Sequence, residues 1–515
     1  MKKRKPEKKK KKAIKSVIAV MLVLAIILTG TYAWQSISQK ALNQVDVDVN
    51  PGGRLHDDFD GRNKDIYVEN FSETEPIFAR IRLDEYMEIG PDEGKERDNP
   101  NREATPVIDG TDINDKDTWT THIPAQTDCN PIHKYWAWKM GGDTVFMPTF
   151  NKNKDSLEPD LNGTYENQFN DYKKYELEET KTEDAIYDAD TNSIDEGDAG
   201  IEGENFYKQR ETHTAKKTLT ATVMTMEEWM EQGSPAGPYW VYDTDGWAYW
   251  AEAIKPGEST GLLLDGIQLI SSPGDKAYYA INAVAQFATA GDWGNAEEKT
   301  GFYQDGITDN ALLLLYRAAG VTIDDIDFYV LAVDNGKMLI WAKEMLPKAM
   351  TWYPTSNQIW RDTSIRTYLN GDWLNEHATL KARAVNTTLT TRPAYNSSAS
   401  TFITTTDDVF LLSEADLYGT FNCGVSTAVS NDYTYNGKKL PISEDMRKCA
   451  PCTDPDAYVE AGAKGDWYFL RSPGYNSSLI SAVTASSGAL NRCLYNHAFG
   501  FRPALWVTID SESND

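Results

Sequence analysis

Two cysteines, Cys449 and Cys452, form a C-x-x-C pair, a spacing that redox and zinc sites use. In a redox domain the first cysteine begins a helix after a buried strand, which lowers the pKa of its thiol. Residues 453–455 are Thr-Asp-Pro, and no strand–helix–strand pattern surrounds the pair. A zinc site needs further ligands at matching spacing, and the other cysteines and histidines supply no obvious second pair. The pair therefore predicts either a local disulfide or two free thiols.

Other residue combinations that support catalysis are weakly represented. Cys129 and His133 are four residues apart, but Pro131 between them argues against a helix that would align them as nucleophile and base. The chain has no G-x-S-x-G motif and no P-loop. Its carboxylates are so numerous that no acid–base pair stands out. We therefore expect no catalytic residues and a protein that is not an enzyme.

Residues 188–192, Asp-Ala-Asp-Thr-Asn, begin like a calcium-binding loop. An EF-hand loop requires Gly at its sixth position and Glu at its twelfth, where this chain has Ser193 and Ala199. The motif therefore fails, and we expect no cofactor and no metal. A weak extracellular Ca²⁺ site of other geometry is the alternative.

Residues 475–499 have the composition of a ligand-binding loop. These 25 residues contain no Lys, Glu, Gln, Met or Trp and are rich in Ser, Asn and Tyr. Tyr, Ser and Asn dominate antibody binding loops because they provide contact area and adaptable hydrogen bonds at low entropic cost. The alternative is a Ser/Asn-rich surface hairpin without a ligand. We predict ligand contacts from Tyr475, Asn476, Ser478, Asn491, Arg492, Tyr495, Asn496 and His497.

The segments that carry these residues differ sharply in charge. The 515-residue chain has a formal net charge of −27, although residues 1–33 carry ten basic groups and a single Glu. The remainder is acidic and repels phosphate backbones, so nucleic acid is excluded as a partner. A chain of this length is expected to form two or three domains.

Residues 1–33 are expected to direct export. Twelve apolar residues, 17–28, follow the Lys-rich stretch and precede the small residue Ala33. This order is typical of a secretory signal peptide, whereas an uncut segment 16–39 would be long enough to anchor the protein in a membrane. In either case the rest of the chain is predicted to be extracellular, at the cell surface.

Residues 30–34, Gly-Thr-Tyr-Ala-Trp, on the Lys-rich leader resemble the signal peptides of the TasA/camelysin group of Gram-positive bacteria. The resemblance implies cleavage after Ala33 by a dedicated signal peptidase. Residues 64–70 and 76–86 are similar to the first strands of TasA-like β-sandwich proteins. Read without the family, 77–84 alternates with a period of two, which predicts a strand with one buried face and one wet face.

The fold class predicted for the chain is mainly β with some α. Residues 34–300 are expected to form an antiparallel β-sandwich with a mobile acidic insertion over about 155–204. A junction over 301–325 is expected to contain a short helix that includes 312–316 and ends at Gly320. A helix is also expected at 226–230. The candidate strands are 65–70, 77–83, 133–138, 217–224, 238–242, 247–253, 260–264 and 278–287.

Four blocks near the C-terminus, 360–370, 408–413, 465–474 and 500–506, resemble the bacterial domain of unknown function numbered 6273. That family resembles C-type-lectin-like folds of the formylglycine-generating-enzyme type, including variable proteins of diversity-generating retroelements. The resemblance implies a C-type-lectin-like α+β domain over 326–510 whose late loops bind ligands. Adenine mutagenesis of Asn codons, as in those retroelements, reaches none of the five residue types missing from the binding segment.

The same blocks carry local predictions of their own. Residues 364–370 are expected to form an amphipathic helix, and 410–412 a short buried strand. The strand that includes Trp467 is expected to be apolar on both faces. Arg471 and Arg502 lie in apolar blocks, and a buried Arg needs carbonyl or carboxylate partners. Both are therefore predicted to be structural clamps rather than ligand contacts.

These patterns together predict an exported, adhesin-like binding protein that recognises a surface protein or a glycan through its C-terminal loops. The sandwich would serve as a stalk or assembly module. A competing prediction is a structural biofilm-matrix or fibre subunit that self-assembles. An enzyme related to formylglycine generators is the third and least favoured prediction.

Overall fold

The computed structural model describes residues 37–41, 53–59, 64–70, 74–94, 101–124, 130–143, 185–188, 193–196, 206–208, 220–256, 258–274, 276–289, 293, 301–352, 359–391, 402–419, 432–460, 463–474 and 478–509. Over these residues the protein is mainly β, with few helices and mostly antiparallel sheets. No helix among them is both long and apolar enough to cross a bilayer. The predicted leader with Ala33, and most of the acidic insertion, lie outside the described residues.

The strands before residue 290 form three sheets. The first sheet has the order β1-β16-β4-β14-β13-β12-β8, and β5 and β6 also pair with β4. The second sheet has the order β2-β3-β15-β7. In the third sheet β9 lies between β10 and β11. The strands are β1 Ile37–Ala41, β2 Gly53–Phe59, β3 Lys64–Asn70, β4 Ile77–Ile89, β5 Thr105–Pro106, β6 Thr120–Thr121, β7 Trp136–Met140, β8 Gly142–Asp143, β9 Ala185–Asp188, β10 Ser193–Glu196, β11 Phe206–Lys208, β12 Thr220–Thr225, β13 Tyr239–Tyr242, β14 Trp247–Trp250, β15 Leu264–Leu269 and β16 Ala277–Thr289.

The first two sheets share a hydrophobic core. Leu55, Ile66 and Val68 of the smaller sheet pack in one cluster with Ile81 and Trp250 of the larger sheet. All five side chains are at most 1% exposed. Each side chain of this size contributes about 1.5–3 kcal/mol when fully buried, so this cluster is what holds the two sheets together.

Two local predictions in this region are confirmed. β13 and β14 pair in antiparallel register, as their spacing predicts. The loop between them ends at Gly246, whose φ of +87° suits glycine, and a Cβ there would lie 2.3 Å from Thr121 Cγ2. The helix expected at 226–230 is α1, Met226–Glu231, which begins with a capping box of Thr225 and Glu228.

Strand β4 is buried on both faces, so the predicted wet face is wrong. Arg80 and Asp84, on that face, are 0% and 3% exposed. Arg80 donates hydrogen bonds to Gln286 Oε1 at 2.9 Å, to Phe302 O at 2.6 Å and to Gly306 O at 2.7 Å. The segment 301–306 therefore covers this part of the strand, and its charged groups bond to protein atoms instead of water.

Two predicted strands are displaced. The strand predicted at 133–138 starts at Trp136, because Pro131–Lys134 form a 3₁₀ helix capped by the side chain of Asn130. Proline suits the first turn of a helix, where its missing N–H costs no hydrogen bond. The strand predicted at 260–264 lies instead at Leu264–Leu269. Further 3₁₀ turns lie at Lys116–Thr118, Gly301–Tyr303 and Trp360–Asp362.

The predicted junction contains helix α2, Asp309–Ala319, which is longer than the helix expected at 312–316. The Thr308 side chain caps its first turn by accepting from Ala311 N at 3.1 Å. Gly320, with a φ of +80°, ends the helix as predicted. Leu312, Leu313, Leu314 and Leu315 are buried in a hydrophobic cluster that includes Trp229 before the junction and Trp341 after it. The helix is thus part of a core shared by both regions.

The strands from residue 321 onward form two five-stranded sheets, with the orders β17-β18-β19-β30-β21 and β20-β29-β26-β27-β28, and the pairs β22–β23 and β24–β25. These strands are β17 Val321–Ile323, β18 Ile326–Asp334, β19 Lys337–Ala342, β20 Met350–Thr351, β21 Ala384–Val385, β22 Thr387–Thr391, β23 Ile403–Asp407, β24 Val459–Glu460, β25 Ala463–Lys464, β26 Trp467–Pro473, β27 Leu479–Thr484, β28 Ala489–Leu494, β29 Ala498–Phe501 and β30 Ala504–Thr508.

Short helices connect these strands. The helix predicted at 364–370 is split into α3, Ser364–Tyr368, and a π-helical turn, Leu369–Trp373. Its predicted apolar residues Ile365 and Leu369 are both 0% exposed. Residues 410–412 are buried, but Phe410 makes only an isolated bridge to Ala504 instead of the predicted strand. The helices are α3 Ser364–Tyr368, α4 Leu374–Glu376, α5 Ala378–Arg383, α6 Glu414–Tyr418 and α7 Glu444–Arg447.

Candidate functional site

The predicted binding segment forms a hairpin at the end of a five-stranded sheet. β27 lies between β26 and β28, and β28 is the terminal strand of that sheet order. The register pairs Leu479 with Leu494 and Thr484 with Ala489. Gly488 closes the turn with a φ of +64°, and its N–H donates to Thr484 O at 2.8 Å. The hairpin backbone is therefore fixed by sheet hydrogen bonds on one side.

Two of the predicted contact residues lie within β28 and bond to their own protein. Asn491 Nδ2 donates to Thr484 Oγ1 at 3.3 Å. Arg492 donates to the carbonyl of Asn491 at 2.8 Å and lies 3.3 Å from the buried carboxylate of Glu414. Ser481, the register partner of Arg492, donates to the other oxygen of Glu414 at 2.7 Å. These contacts make Arg492 a positioning group for the hairpin.

Three other predicted residues meet at the opposite end of the hairpin from its turn. The N–H of Tyr495 donates to Ser478 O at 3.2 Å, and its carbonyl accepts from Trp352 N at 3.0 Å. The ring of His497 stacks on Tyr458, with 3.9 Å between centroids. Because main-chain bonds and ring stacking hold these residues, the end of the hairpin presents a defined surface.

Leu494 and Asn496 complete that end. We call it the hairpin base; it consists of Ser478, Leu494, Tyr495, Asn496 and His497, with Tyr458 beneath. Asn496 is exposed. Leu494 is 38% exposed, one of the few large apolar side chains that are so exposed among the described residues. The sequence did not predict Leu494 or Tyr458 as site residues. A Leu within a Ser/Asn-rich segment is a signal that could have indicated Leu494, whereas the sequence has no such signal for Tyr458.

The predicted contacts Tyr475 and Asn476 lie outside the described residues.

A buried ion pair underlies the hairpin, and it confirms the predicted clamp role of Arg471. The side chains of Arg471 and Asp416 are both 0% exposed, and Arg471 Nη1 lies 2.9 Å from Asp416 Oδ2. The same nitrogen donates to Leu411 O and to Thr434 Oγ1, each at 2.9 Å. Arg471 lies in β26, on the C-terminal side of residues that pair with β27. Its hydrogen bonds and ion pair therefore hold the strand on which the hairpin rests.

Arg502 is also a buried clamp, as predicted. Its guanidinium lies 3.5 Å from the ring centroid of Trp341 and donates to Ala342 O at 2.9 Å and Met446 O at 3.0 Å. Cation–π contact and two carbonyl acceptors replace part of the hydration that this charge loses on burial.

Of the two alternatives predicted for Cys449 and Cys452, a local disulfide or two free thiols, the structure has two free thiols. Cys452 Sγ bonds to Leu346 O at 3.5 Å, and Cys449 N donates to Ala485 O at 3.2 Å. Burial raises the pKa of Cys449 to about 11, which disfavours the reactive thiolate.

A second cluster of reactive side chains lies in the N-terminal region. His133 Nε2 lies 2.9 Å and His122 Nδ1 lies 3.3 Å from Glu85 Oε1, and the three groups are buried or half-buried. Burial raises the pKa of Glu85, but the hydrogen bonds and charges of the two histidines outweigh it, and the net shift is downward. Burial lowers the pKa of His133, but the contact with Glu85 outweighs it and raises that pKa.

This cluster was missed from sequence. The sequence spacing pairs His133 only with Cys129, which lies outside the described residues. Glu85 lies in β4, 37 residues from His122 and 48 from His133, so no short motif joins them. The expected absence of a metal rested on motif spacing alone. These three groups, an imidazole pair and a carboxylate, are the kinds of ligand that divalent transition metals prefer.

Comparison with known proteins identifies the C-terminal region. Residues 335–509 match the model of the Domain of unknown function (DUF6273), in agreement with the resemblance found from the four sequence blocks. The match covers β19 to β30, including both arginine clamps and the hairpin. Neither the curated proteins nor the solved structures include a match to the chain.

Proposed function

We propose that the protein is an exported cell-surface binding protein that recognises a surface protein or a glycan through the hairpin base. The observation that carries this proposal is the convergence of Ser478, Tyr495 and His497 at one end of a hairpin that sheet hydrogen bonds hold in place. Aromatic and amide side chains on a rigid support lose little entropy on binding, which favours recognition.

The charge and polarity of the hairpin base favour a ligand that is uncharged or that combines polar and apolar groups. Residues 475–499 contain one Arg and no acidic group, although the chain is strongly acidic. Leu494 and the stacked rings of Tyr458 and His497 supply apolar contact area. Aromatic rings stack on sugar faces as well as on protein side chains, so both ligand classes fit.

The finer parts of the proposal concern fold and export. We propose that the DUF6273 region has a C-type-lectin-like fold, that the N-terminal sheets are a TasA-like sandwich serving as stalk or assembly module, and that a signal peptidase cleaves after Ala33. The shared core of the two large N-terminal sheets supports the sandwich. The composition of 475–499 supports a retroelement-diversified binding site. The raised pKa of Cys449 works against thiolate chemistry at the C-x-x-C pair, which disfavours the formylglycine-generating-enzyme-like alternative.

Binding to a glycan array and to bacterial and host cells, measured with the full chain, tests the proposal. Replacing Tyr495, Asn496 and His497 together by Ala should weaken binding at least about 30-fold, because losing one interface anchor costs about 2 kcal/mol. The matched control replaces Ser486 and Ser487 by Ala at the hairpin turn, where both are exposed.

The control should keep full binding. Binding that survives the triple replacement would contradict the hairpin base as the site. A chain that binds neither glycans nor cells but assembles into fibres, unaffected by the triple replacement, would instead support the structural subunit.

A further inference from the structure

The three groups Glu85, His122 and His133 have the dimensions of a zinc site. A tetrahedral Zn²⁺ with bonds of about 2.0–2.1 Å places neighbouring ligand atoms about 3.3 Å apart. The two nitrogens lie 2.9 and 3.3 Å from Glu85 Oε1, and all three ligand atoms lie within 4.8 Å of one another. The two nitrogen–oxygen separations are therefore close to the spacing of neighbouring ligands around one ion, and the two nitrogens lie within 4.8 Å of each other.

Outer contacts orient two of the three groups. Metal-binding histidines usually donate their second N–H to a carbonyl or carboxylate, which fixes the ring. His133 Nδ1 lies 3.2 Å from Trp136 O, which leaves Nε2 directed at the cluster. Tyr279 donates to Glu85 Oε2 at 2.7 Å, so the other carboxylate oxygen faces the histidines. Trp138 Nε1 in turn donates to Tyr279 Oη at 2.7 Å.

The third ligand and a neighbouring hydroxyl complete the arrangement. The ring of His122 stacks on Trp138 with 4.0 Å between centroids, and its backbone N–H donates to Leu83 O at 2.8 Å. The ring of Tyr242 lies 6.0 Å from that of His122, and its buried hydroxyl has no hydrogen-bond partner among the described residues. A buried hydroxyl without a partner is costly, and an ion with a bound water supplies one.

The chemistry of the set selects the ion. Two imidazole nitrogens exclude Ca²⁺ and Mg²⁺, which take oxygen ligands, and favour zinc and related transition metals. Two histidines and one carboxylate, with a fourth position for water, is a ligand set found in zinc proteins. We propose that Glu85, His122 and His133 bind one Zn²⁺ ion, and that the ion links β6 and the 3₁₀ helix Pro131–Lys134 to strand β4.

A zinc ion at this site would stabilise the fold of the N-terminal region. The site is independent of the hairpin base. His122 follows β6 directly, and His133 lies in the 3₁₀ helix before β7. One ion would therefore link the long central strand β4 to two segments that have little regular structure of their own. Because the unfolded chain has no preformed site, the binding free energy adds to the free energy of unfolding.

Metal titration of the chelator-treated full chain tests the proposal. Isothermal titration with ZnCl₂ should give one ion per chain, and a saturating excess should raise the Tm by roughly 5 °C or more. His133→Ala should weaken binding at least about 10-fold, the size of loss expected when the ligand set is disturbed. The matched control is His377→Ala, since His377 contacts Trp373 and lies outside the cluster.

A second variant keeps the test decisive if His133→Ala does not fold. His133→Cys retains a zinc ligand, and with Co²⁺ as the probe its near-ultraviolet spectrum should gain a thiolate-to-metal charge-transfer band that the parent protein lacks. Circular dichroism of the metal-free parent shows that the chain is folded during titration. A folded parent chain that binds zinc weakly and substoichiometrically, or equal loss of binding in His377→Ala and His133→Ala, would overturn the proposal.

Discussion

Replacement of Arg471 by Met should destabilise the protein strongly, because it leaves a buried carboxylate without its cation. Arg471 and Asp416 are both 0% exposed and lie 2.9 Å apart. Arg471 Nη1 also donates to Leu411 O and to Thr434 Oγ1, and Nη2 donates to Asp432 O. Met fills the space of the aliphatic stem but supplies none of these donors.

The magnitude follows from the cost of an uncompensated buried charge. Breaking a buried ion pair by removing one partner costs about 3–5 kcal/mol. At roughly 2–4 °C per kcal/mol for a region of this size, the Tm should fall by about 6–20 °C. The double replacement Arg471→Met with Asp416→Asn should cost about 1–3 kcal/mol less than the sum of the single costs, because the charge is then removed as well.

Urea unfolding followed by tryptophan fluorescence measures these changes, since Trp341 and Trp352 are buried in the same core cluster. The control is Arg361→Met, where the arginine is 53% exposed and its paired Asp362 is 30% exposed, and the expected change is below about 0.5 kcal/mol. A loss below 1 kcal/mol for Arg471→Met, or strict additivity with Asp416→Asn, would refute the reasoning.

Three further predictions concern the core and the thiols. Arg80→Met should lower the free energy of unfolding by about 3 kcal/mol, because the guanidinium bonds to carbonyls of the 301–306 segment and lies 4.1 Å from the centroid of the Trp247 ring. Leu314→Ala, at a 1% exposed position, should cost about 2–5 kcal/mol in urea unfolding, whereas Leu269→Ala, 49% exposed, should cost less than about 0.5 kcal/mol. Alkylation of Cys449, followed by mass spectrometry, should be about 100-fold slower at pH 8 than alkylation of an ordinary thiol. The alkylation rate should rise about tenfold per pH unit towards the pKa of about 11. Fast labelling at pH 8 would contradict this prediction.

The strand pattern of β4 shows what the sequence could and could not predict. The period of two over 77–84 correctly predicted a strand, because alternation is a local property of the chain. It wrongly predicted a wet face, because coverage depends on distant segments. The acceptors of Arg80 in 301–306 lie more than 220 residues away, and nothing near Arg80 announces them.

The same distinction applies to the two sites. The hairpin base was predictable as a segment because its unusual composition is contiguous in 475–499. The stacking of His497 on Tyr458 was not predictable, since that contact depends on how β29 is placed in the sheet. Metal motifs are recognised from sequence when ligands share a helix or a tight turn. Glu85, with partners 37 and 48 residues away, has no such signature.

Arg317 shows why the hairpin should be studied in the whole chain. Its guanidinium donates to Gly233 O at 2.8 Å, to Val330 O at 2.6 Å and to Pro441 O at 2.8 Å. Carbonyl acceptors are directional, so this one side chain specifies how α2 meets segments on both sides of the junction. A fragment that begins at 326 loses Arg317 and the buried leucines of α2, about 6–12 kcal/mol of burial for four such side chains. That sum is comparable to the whole free energy of unfolding of a domain, so loss of binding in such a fragment would report on folding and not on the hairpin base.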